Sequence, residues 1–271
     1  MTINKKLSNS DYRAELFLFA QKLADIAATI SIKYFRNKNL ENFQKNDHSP
    51  VTIADTEIES QLRFEIEQKY PEHGIYGEEL EDVAGVSPYK WYIDPIDGTS
   101  SFICGLPVFT NLIALLYNNE PIFGVISQPI TKERWYGGEA YTACYNGKGI
   151  NAGKNTELHH AVLSTTSPYL LSEVGNNILN IIRAKTKYQK YGGVFCGPDS
   201  YQYAMLASGF IDIIIEEGLK PHDFLALVPV LKAAGAVISD WQGNEINELS
   251  SGNILASSNK ILHEKILNLI K

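Results

Sequence analysis

The hydrophobic rhythm of the chain changes twice along its 271 residues, and few folds accommodate both changes. Leu16, Phe19, Leu23, Ile26, Ile30 and Tyr34 recur at three-to-four spacing, which predicts an amphipathic helix over about 10–36. The polar stretch NKNLENFQKNDHSP reads as a loop or irregular hairpin. Thr52, with Asp55 three residues on, forms a capping-box pattern ahead of a second helix marked by Ile58, Leu62 and Ile66 and closed by Pro71. Short strand-like runs follow: GIYGEE, KWYIDPID, TNLIALLY, PIFGVISQP and RWYGG, with a hairpin turn expected at NNEP, 118–121. Beyond about residue 146 strands and helices alternate. AVLSTT, IDIII, AVISD and NILAS read as strands, and SYQYAMLAS, DFLALVPVLKAAG and KILHEKILNLI as helices.

This rhythm divides the chain into an α+β half with antiparallel strands, 1–146, and an α/β half, 147–271. They meet in the polar, Gly-rich segment NGKGINAGKNTE. A net charge of −7 argues against broad binding to nucleic acid or anionic membranes, which requires clustered Lys and Arg. Three cysteines, none in a C-x-x-C pair, argue against a disulfide framework and for a reducing cytosol. The opening MTINKKLSNSD has no apolar run behind its lysines, and no apolar run approaches the ~18 residues of a membrane span. The expectation is a soluble cytoplasmic protein.

The chemistry concentrates in WYIDPIDGTSSF, 91–102. Tyr92 and Ile93 end an apolar strand. Pro95 restricts Asp94 to extended geometry, and Gly98 permits a tight turn or close backbone approach. Two carboxylates aimed at one point repel each other unless a cation lies between them, and a hard oxygen-rich site suits Mg²⁺. Taken alone, D-P-x-D reads first as an acidic turn that caps backbone amides. Two further segments add acids at element ends: GEE, with Glu78 and Glu79, and HD, with Asp223 at a helix start. Carboxylates converging from three separate elements suit metal-assisted phosphoryl transfer.

The segments SPVTIAD (49–55), GEE (77–79), WYIDPIDGTSSF (91–102) and HDFLALVPVLKAAGAVISDWQG (222–243) together resemble the inositol monophosphatase family of metal-dependent, lithium-sensitive phosphatases. The resemblance runs from about residue 10 to the end and implies a layered αβαβα fold. It implies two to three Mg²⁺ ions: Glu78, Asp94 and the Ile96 carbonyl at the first; Asp94, Asp97 and Asp223 at the second; and Glu78 again at a looser third. It implies that Thr99, paired with Asp55, positions and activates the attacking water, and that amides around Gly98, Thr99 and Ser100 meet the phosphate. It also implies a homodimer. The chain departs from the usual pattern at Ser100 and Ser101 after DGT, and at His222 before the last metal aspartate.

Two acids bear on the substrate. Glu216 matches the family's substrate-contacting glutamate, and Asp199 stands where small neutral residues face an inositol. A neutral polyol does not require two acids, whereas a cationic leaving group gains from both. D-S-Y-Q-Y with E-E-G-L-K-P-H-D resembles the bacterial histidinol-phosphate phosphatase branch of the family. The leading expectation is hydrolysis of histidinol phosphate in histidine biosynthesis, with inositol-1-phosphate as runner-up. Nucleotide 3′-phosphate and fructose bisphosphate stand behind these, and a regulatory scaffold that keeps the fold forms a separate class. Asp199 also fits a plain helix cap after Pro198. Of the remaining candidates, His159 and His160 would face opposite ways on an extended surface segment. His48 and His263 lack partners at ligand spacing, Lys45 could reach the site rim, and Cys196 reads as an inert thiol.

Overall fold

The computed structural model describes residues 9–44, 50–187 and 194–271; Lys45 and His48 lie outside these residues. Helix α1 spans Asn9–Tyr34, and α2 spans Ile53–Lys69. The capping box ahead of α2 is present. Thr52 Oγ1 accepts the Ala54 amide at 3.1 Å, and Asp55 Oδ2 accepts the Thr52 amide at 2.8 Å. The polar stretch between the helices is a small antiparallel hairpin of β1 (Asn42–Gln44) and β2 (Pro50–Thr52).

A seven-stranded sheet follows in chain order: β3 (Gly74–Gly77), β4 (Tyr89–Asp97), β5 (Thr110–Tyr117), β6 (Glu120–Gln128), β7 (Glu133–Gly138), β8 (Tyr141–Tyr145) and β9 (Lys148–Gly149). β3 runs parallel to β4, and every later pair is antiparallel. The expected turn joins β5 to β6 through Asn118 and Asn119, at φ 50° and 70°. Asparagine tolerates this left-handed geometry better than most residues, and it matches the twist of a hairpin.

The second sheet contains β10 (Leu163–Thr165), β11 (Phe195–Cys196), β12 (Ile213–Glu216), β13 (Val237–Asp240) and β14 (Ile254–Ser257), in the order β11-β10-β12-β14-β13. Only the β10 pairings are parallel. The half expected to be α/β therefore holds a mixed sheet. Helix α4 (Glu173–Arg183) had no expected counterpart. It is amphipathic and buries Gly175, Leu179 and Ile182. The run DFLALVPVLKAAG is two helices, α6 (Pro221–Phe224) and α7 (Leu227–Ala233), flanking a break at Leu225 and Ala226. His159 and His160 sit in a 3₁₀ turn with ring centroids 4.0 Å apart. They are exposed, as expected, but side by side rather than opposed.

Strand alternation sorts the core into layers. Trp91, Ile93, Ile113 and Leu115 pack under α1 and α2. Their neighbours Tyr92, Leu112, Ala114 and Leu116 face the opposite way, against Tyr203 and Leu206 of α5 (Tyr201–Ala207) and Leu227 and Val230 of α7. Ile214, Ile254 and Ala256 close that middle layer from the second sheet, so its core draws on both sides of residue 146. Ile213, Ile215 and Leu255 point outward to α4 and α8 (Lys260–Ile270). The result is helix, sheet, helix, sheet, helix. No helix among the described residues is long and apolar enough to cross a membrane.

Candidate active site

β4 carries a bulge at its end. Asp94 pairs with Leu112 and Asp97 with Thr110, so two β4 residues, Pro95 and Ile96, oppose the single residue Asn111. Asn111 fills the irregularity, its Nδ2 donating to the Pro95 carbonyl at 2.5 Å and to Ser31 Oγ at 3.0 Å. Strict alternation would send residues 94 and 97 to opposite faces of the sheet. The extra residue turns Ile96 into the α1–α2 core, and Asp97 returns to the face that Asp94 uses.

Asp223 reaches the same place from the first turn of α6. One of its oxygens accepts the Lys220 amide at 2.7 Å, closing the helix start, and the other lies 3.3 Å from His222 Nε2. Asp94, Asp97 and Asp223 each bring a carboxylate oxygen within 4.8 Å of the others. Glu78, in the turn after β3, adds its charge to the field on Asp94 and Asp97. Burial and the neighbouring Glu78, Asp97 and Asp223 hold Asp94 well above the usual carboxylate range. Burial, with Asp223 beside it, pushes Asp97 to about 7 although the Ser200 amide donates to its Oδ2 at 2.6 Å. Burial raises Asp55 to about 6.

These residues suit a divalent cation. Asp94 Oδ1 and Asp55 Oδ1 are buried and accept no hydrogen bond from the protein. A buried carboxylate oxygen in that condition is costly unless a cation satisfies it. The donors are all hard oxygens, the set that Mg²⁺ and its relatives prefer.

Gly98 stands at φ 83° ahead of the short helix α3 (Thr99–Ile103). A Cβ there would lie 2.7 Å from Asp199 Oδ2, so only glycine allows the two segments to meet. Thr99 does not pair with Asp55 as expected. Its hydroxyl donates to the Ile96 carbonyl at 3.0 Å, while Asp55 Oδ2 is occupied by the Thr52 amide and hydroxyl. Asp55 Oδ1 remains without a hydrogen-bond donor.

Asp199 is not a helix cap. It adopts φ 35°, Ser200 takes the cap position of α5, and no side chain caps the helix. Its carboxyl instead joins the acidic cluster, where burial and the charges of Asp97 and Asp223 push it to about 8. Glu216, at the end of β12, is buried and raised to about 7 by desolvation. The Thr166 amide at 2.5 Å and Gln202 Nε2 at 2.7 Å partly offset that rise. Asp97, Asp199, Glu216 and Asp223 line one small cavity of about 30 Å³ with Thr166, Ser200 and Tyr203. A larger groove of about 510 Å³ runs between α1 and the β6–β7 turn and contains none of these acids. Thr166, Ser200, Gln202 and Tyr203 escape sequence reasoning; the one signal for Gln202 is a lone amide between the two aromatics of Y-Q-Y. Cys196 has its thiol raised by burial and by Glu216, consistent with an inert side chain.

The family description "Inositol monophosphatase family" matches residues 13–271. The chain is 46% identical over 257 residues to the chloroplastic bifunctional phosphatase IMPL2 of Arabidopsis thaliana, covering 90% of this chain and 72% of that one. It is 30% identical to a histidinol-phosphatase of Chlorobaculum parvum, covering 92% and 93%. The fold superposes on an inositol monophosphatase from Zymomonas mobilis at a TM-score of 0.85 and 38% identity, covering 97% and 99%. With that match in fold and sequence, and with carboxylates gathered from β4 and α6, the chain belongs to the inositol monophosphatase family of metal-dependent phosphoric monoester hydrolases.

Proposed function

We propose that the chain hydrolyses histidinol phosphate to histidinol and phosphate with Mg²⁺, two to three ions per site, and that it does so as a homodimer. The observation that carries the substrate is the second pair of acids: Asp199 and Glu216 share one cavity with Asp97 and Asp223. Histidinol presents an ammonium and an imidazole, and a cationic group entering this cavity would relieve the repulsion that raises Asp199. Relatives named as histidinol-phosphatases lend support.

In this reading Glu78, Asp94, Asp97, Asp223 and the Ile96 carbonyl hold the cations. When bound, the metal polarises the phosphate, lowers the pKa of the attacking water and steadies the leaving alkoxide. Asp55 Oδ1 and the Thr99 oxygen orient that water, and the amides of Gly98, Thr99 and Ser100 receive the phosphate oxygens. Asp199 and Glu216 orient the alcohol. No protein nucleophile is required.

The test is phosphate release with Mg²⁺ from L-histidinol phosphate and from myo-inositol-1-phosphate, for wild type and Asp199→Ala. The expected result is a preference for histidinol phosphate of at least about tenfold, the scale of one lost charge contact, which collapses in the variant. A preference for inositol phosphate that ignores Asp199 would overturn the substrate and leave the metal site standing.

A further inference from the structure

Helix α2 buries an ion pair beside the turn that carries Glu78. Glu59 and Arg63, one helical turn apart, have side chains 0% and 7% exposed. Glu59 Oε1 accepts Arg63 Nε at 2.8 Å and lies 2.7 Å from Nη2. The same carboxylate accepts two amides of the turn: Glu79 at 2.7 Å on Oε2 and Leu80 at 3.1 Å on Oε1. Arg63 donates back to two carbonyls of that turn, Glu81 at 2.9 Å through Nη1 and Leu80 at 3.0 Å through Nη2.

The close approach is built in. A Cβ on Gly77 would lie 2.1 Å from Glu59 Oε1, so the residue before Glu78 must be glycine for the carboxylate to sit against the backbone. The turn buries little of its own: Leu80 is 37% exposed, and Val83 at the far end is 40% exposed. The bridge between Ile75 and Val83 holds its far end, and the Glu59–Arg63 pair satisfies four of its backbone groups, the Glu79 and Leu80 amides and the Leu80 and Glu81 carbonyls. A buried ion pair contributes little net stability against an apolar pair of the same size. Its consequence is therefore geometric.

We propose that Glu59 and Arg63 are positioning residues which clamp the 78–81 turn and so fix Glu78 for the metal. This rests on the reading of Glu78 as a metal ligand. The pair acts through the backbone of residues 79–81, next to Glu78.

The test uses Glu59→Leu/Arg63→Met, an apolar replacement of similar volume, with Glu59→Gln as the milder change and Glu78→Gln as control. In the metal-free protein the clamp predicts faster hydrogen exchange at the Glu79 and Leu80 amides, with the thermal midpoint within a few degrees of wild type. In activity, the Mg²⁺ concentration for half-maximal turnover should rise about 10-fold or more, with kcat largely recovered at saturating Mg²⁺. Glu78→Gln should raise that concentration without altering exchange at Glu79 and Leu80. Unchanged exchange and unchanged Mg²⁺ dependence in the double variant, alongside an effect of Glu78→Gln, would overturn the clamp alone. Glu78→Gln without effect on Mg²⁺ dependence would overturn the ligand reading, while altered exchange in the double variant would still report the clamp. If the double variant fails to fold, Glu59→Gln decides the matter by the same two readouts.

Discussion

His73, just before β3, should make stability depend on pH in a direction fixed by its partners. Its ring stacks on Tyr70 and Tyr89 at centroid distances of 4.8 and 5.1 Å. Trp91 Nε1 donates to His73 Nδ1 at 3.0 Å, and Nε2 lies 3.0 Å from the Tyr12 hydroxyl. Indole nitrogen only donates, so Nδ1 must accept, and the neutral ring carries its proton on Nε2. Protonating Nδ1 would set two donors face to face inside an aromatic cage. Burial lowers the ring from 6.5 to about 4. The unfolded chain therefore takes up the proton first. The contribution is fully present above about 6.5 and is lost as pH falls toward about 4. At ~1.4 kcal/mol per pKa unit the ceiling is about 3 kcal/mol. His73 also lines a surface groove of about 290 Å³ where water screens it, which reduces the expectation to about 1–2 kcal/mol. Urea unfolding of wild type and His73→Gln at about pH 7.5 and 4.5 isolates this group, because the remaining titrations are common to both proteins. The variant should lose about 1–2 kcal/mol less than wild type on acidification. Equal losses in the two proteins would refute the tautomer and the linkage together.

Two further outcomes follow from the site and its support. Asp94→Asn should lower turnover at least about 100-fold, while raising the thermal midpoint of the metal-free protein by removing a buried group that can ionise only against Glu78, Asp97 and Asp223. Phosphate release and a melt with and without Mg²⁺ read both, and undiminished turnover would refute the metal reading. Gly124→Ala would place a Cβ 1.9 Å from the Ala226 carbonyl, at the joint between α6 and α7. Overpacking of this kind costs about 1–3 kcal/mol, measurable by urea unfolding, and should weaken Mg²⁺ activation because Asp223 lies one turn away.

What the sequence made legible was what local chemistry decides. Thr52 and Asp55 announce a capping box because that bond lies within four residues, and Asn118-Asn119 announces a hairpin because its twist is a property of the turn. The layered fold and the convergence of Asp94, Asp97 and Asp223 were likewise readable, the latter from acids at the ends of apolar runs. Relations that only tertiary structure creates were not. Nothing local distinguishes Glu59 and Arg63 from an exposed i, i+4 pair; only the folded chain lays the 78–81 turn over them. That the Thr99 hydroxyl meets the Ile96 carbonyl while Asp55 Oδ2 serves Thr52 was likewise not visible in the sequence. Helix α4 was missed although Ile178, Leu179 and Ile182 stand at helical spacing, because Gly175 and three asparagines in eleven residues disguise it as a loop. Asp199 could not be separated from a helix cap until its backbone angle and its approach to Gly98 were visible.

The bulge in β4 has a consequence for how this stretch can change over time. Its reading frame is held at one end by Trp91 and Ile93 under the helices, and at the other by Asn111 on the Pro95 carbonyl. A substitution between Asp94 and Asp97 alters one side chain. The loss or gain of a single residue would turn Asp97 to the wrong side of the sheet and separate it from Asp94 at a stroke. Lineages that descend from this chain can therefore vary the letters of the segment far more freely than its length.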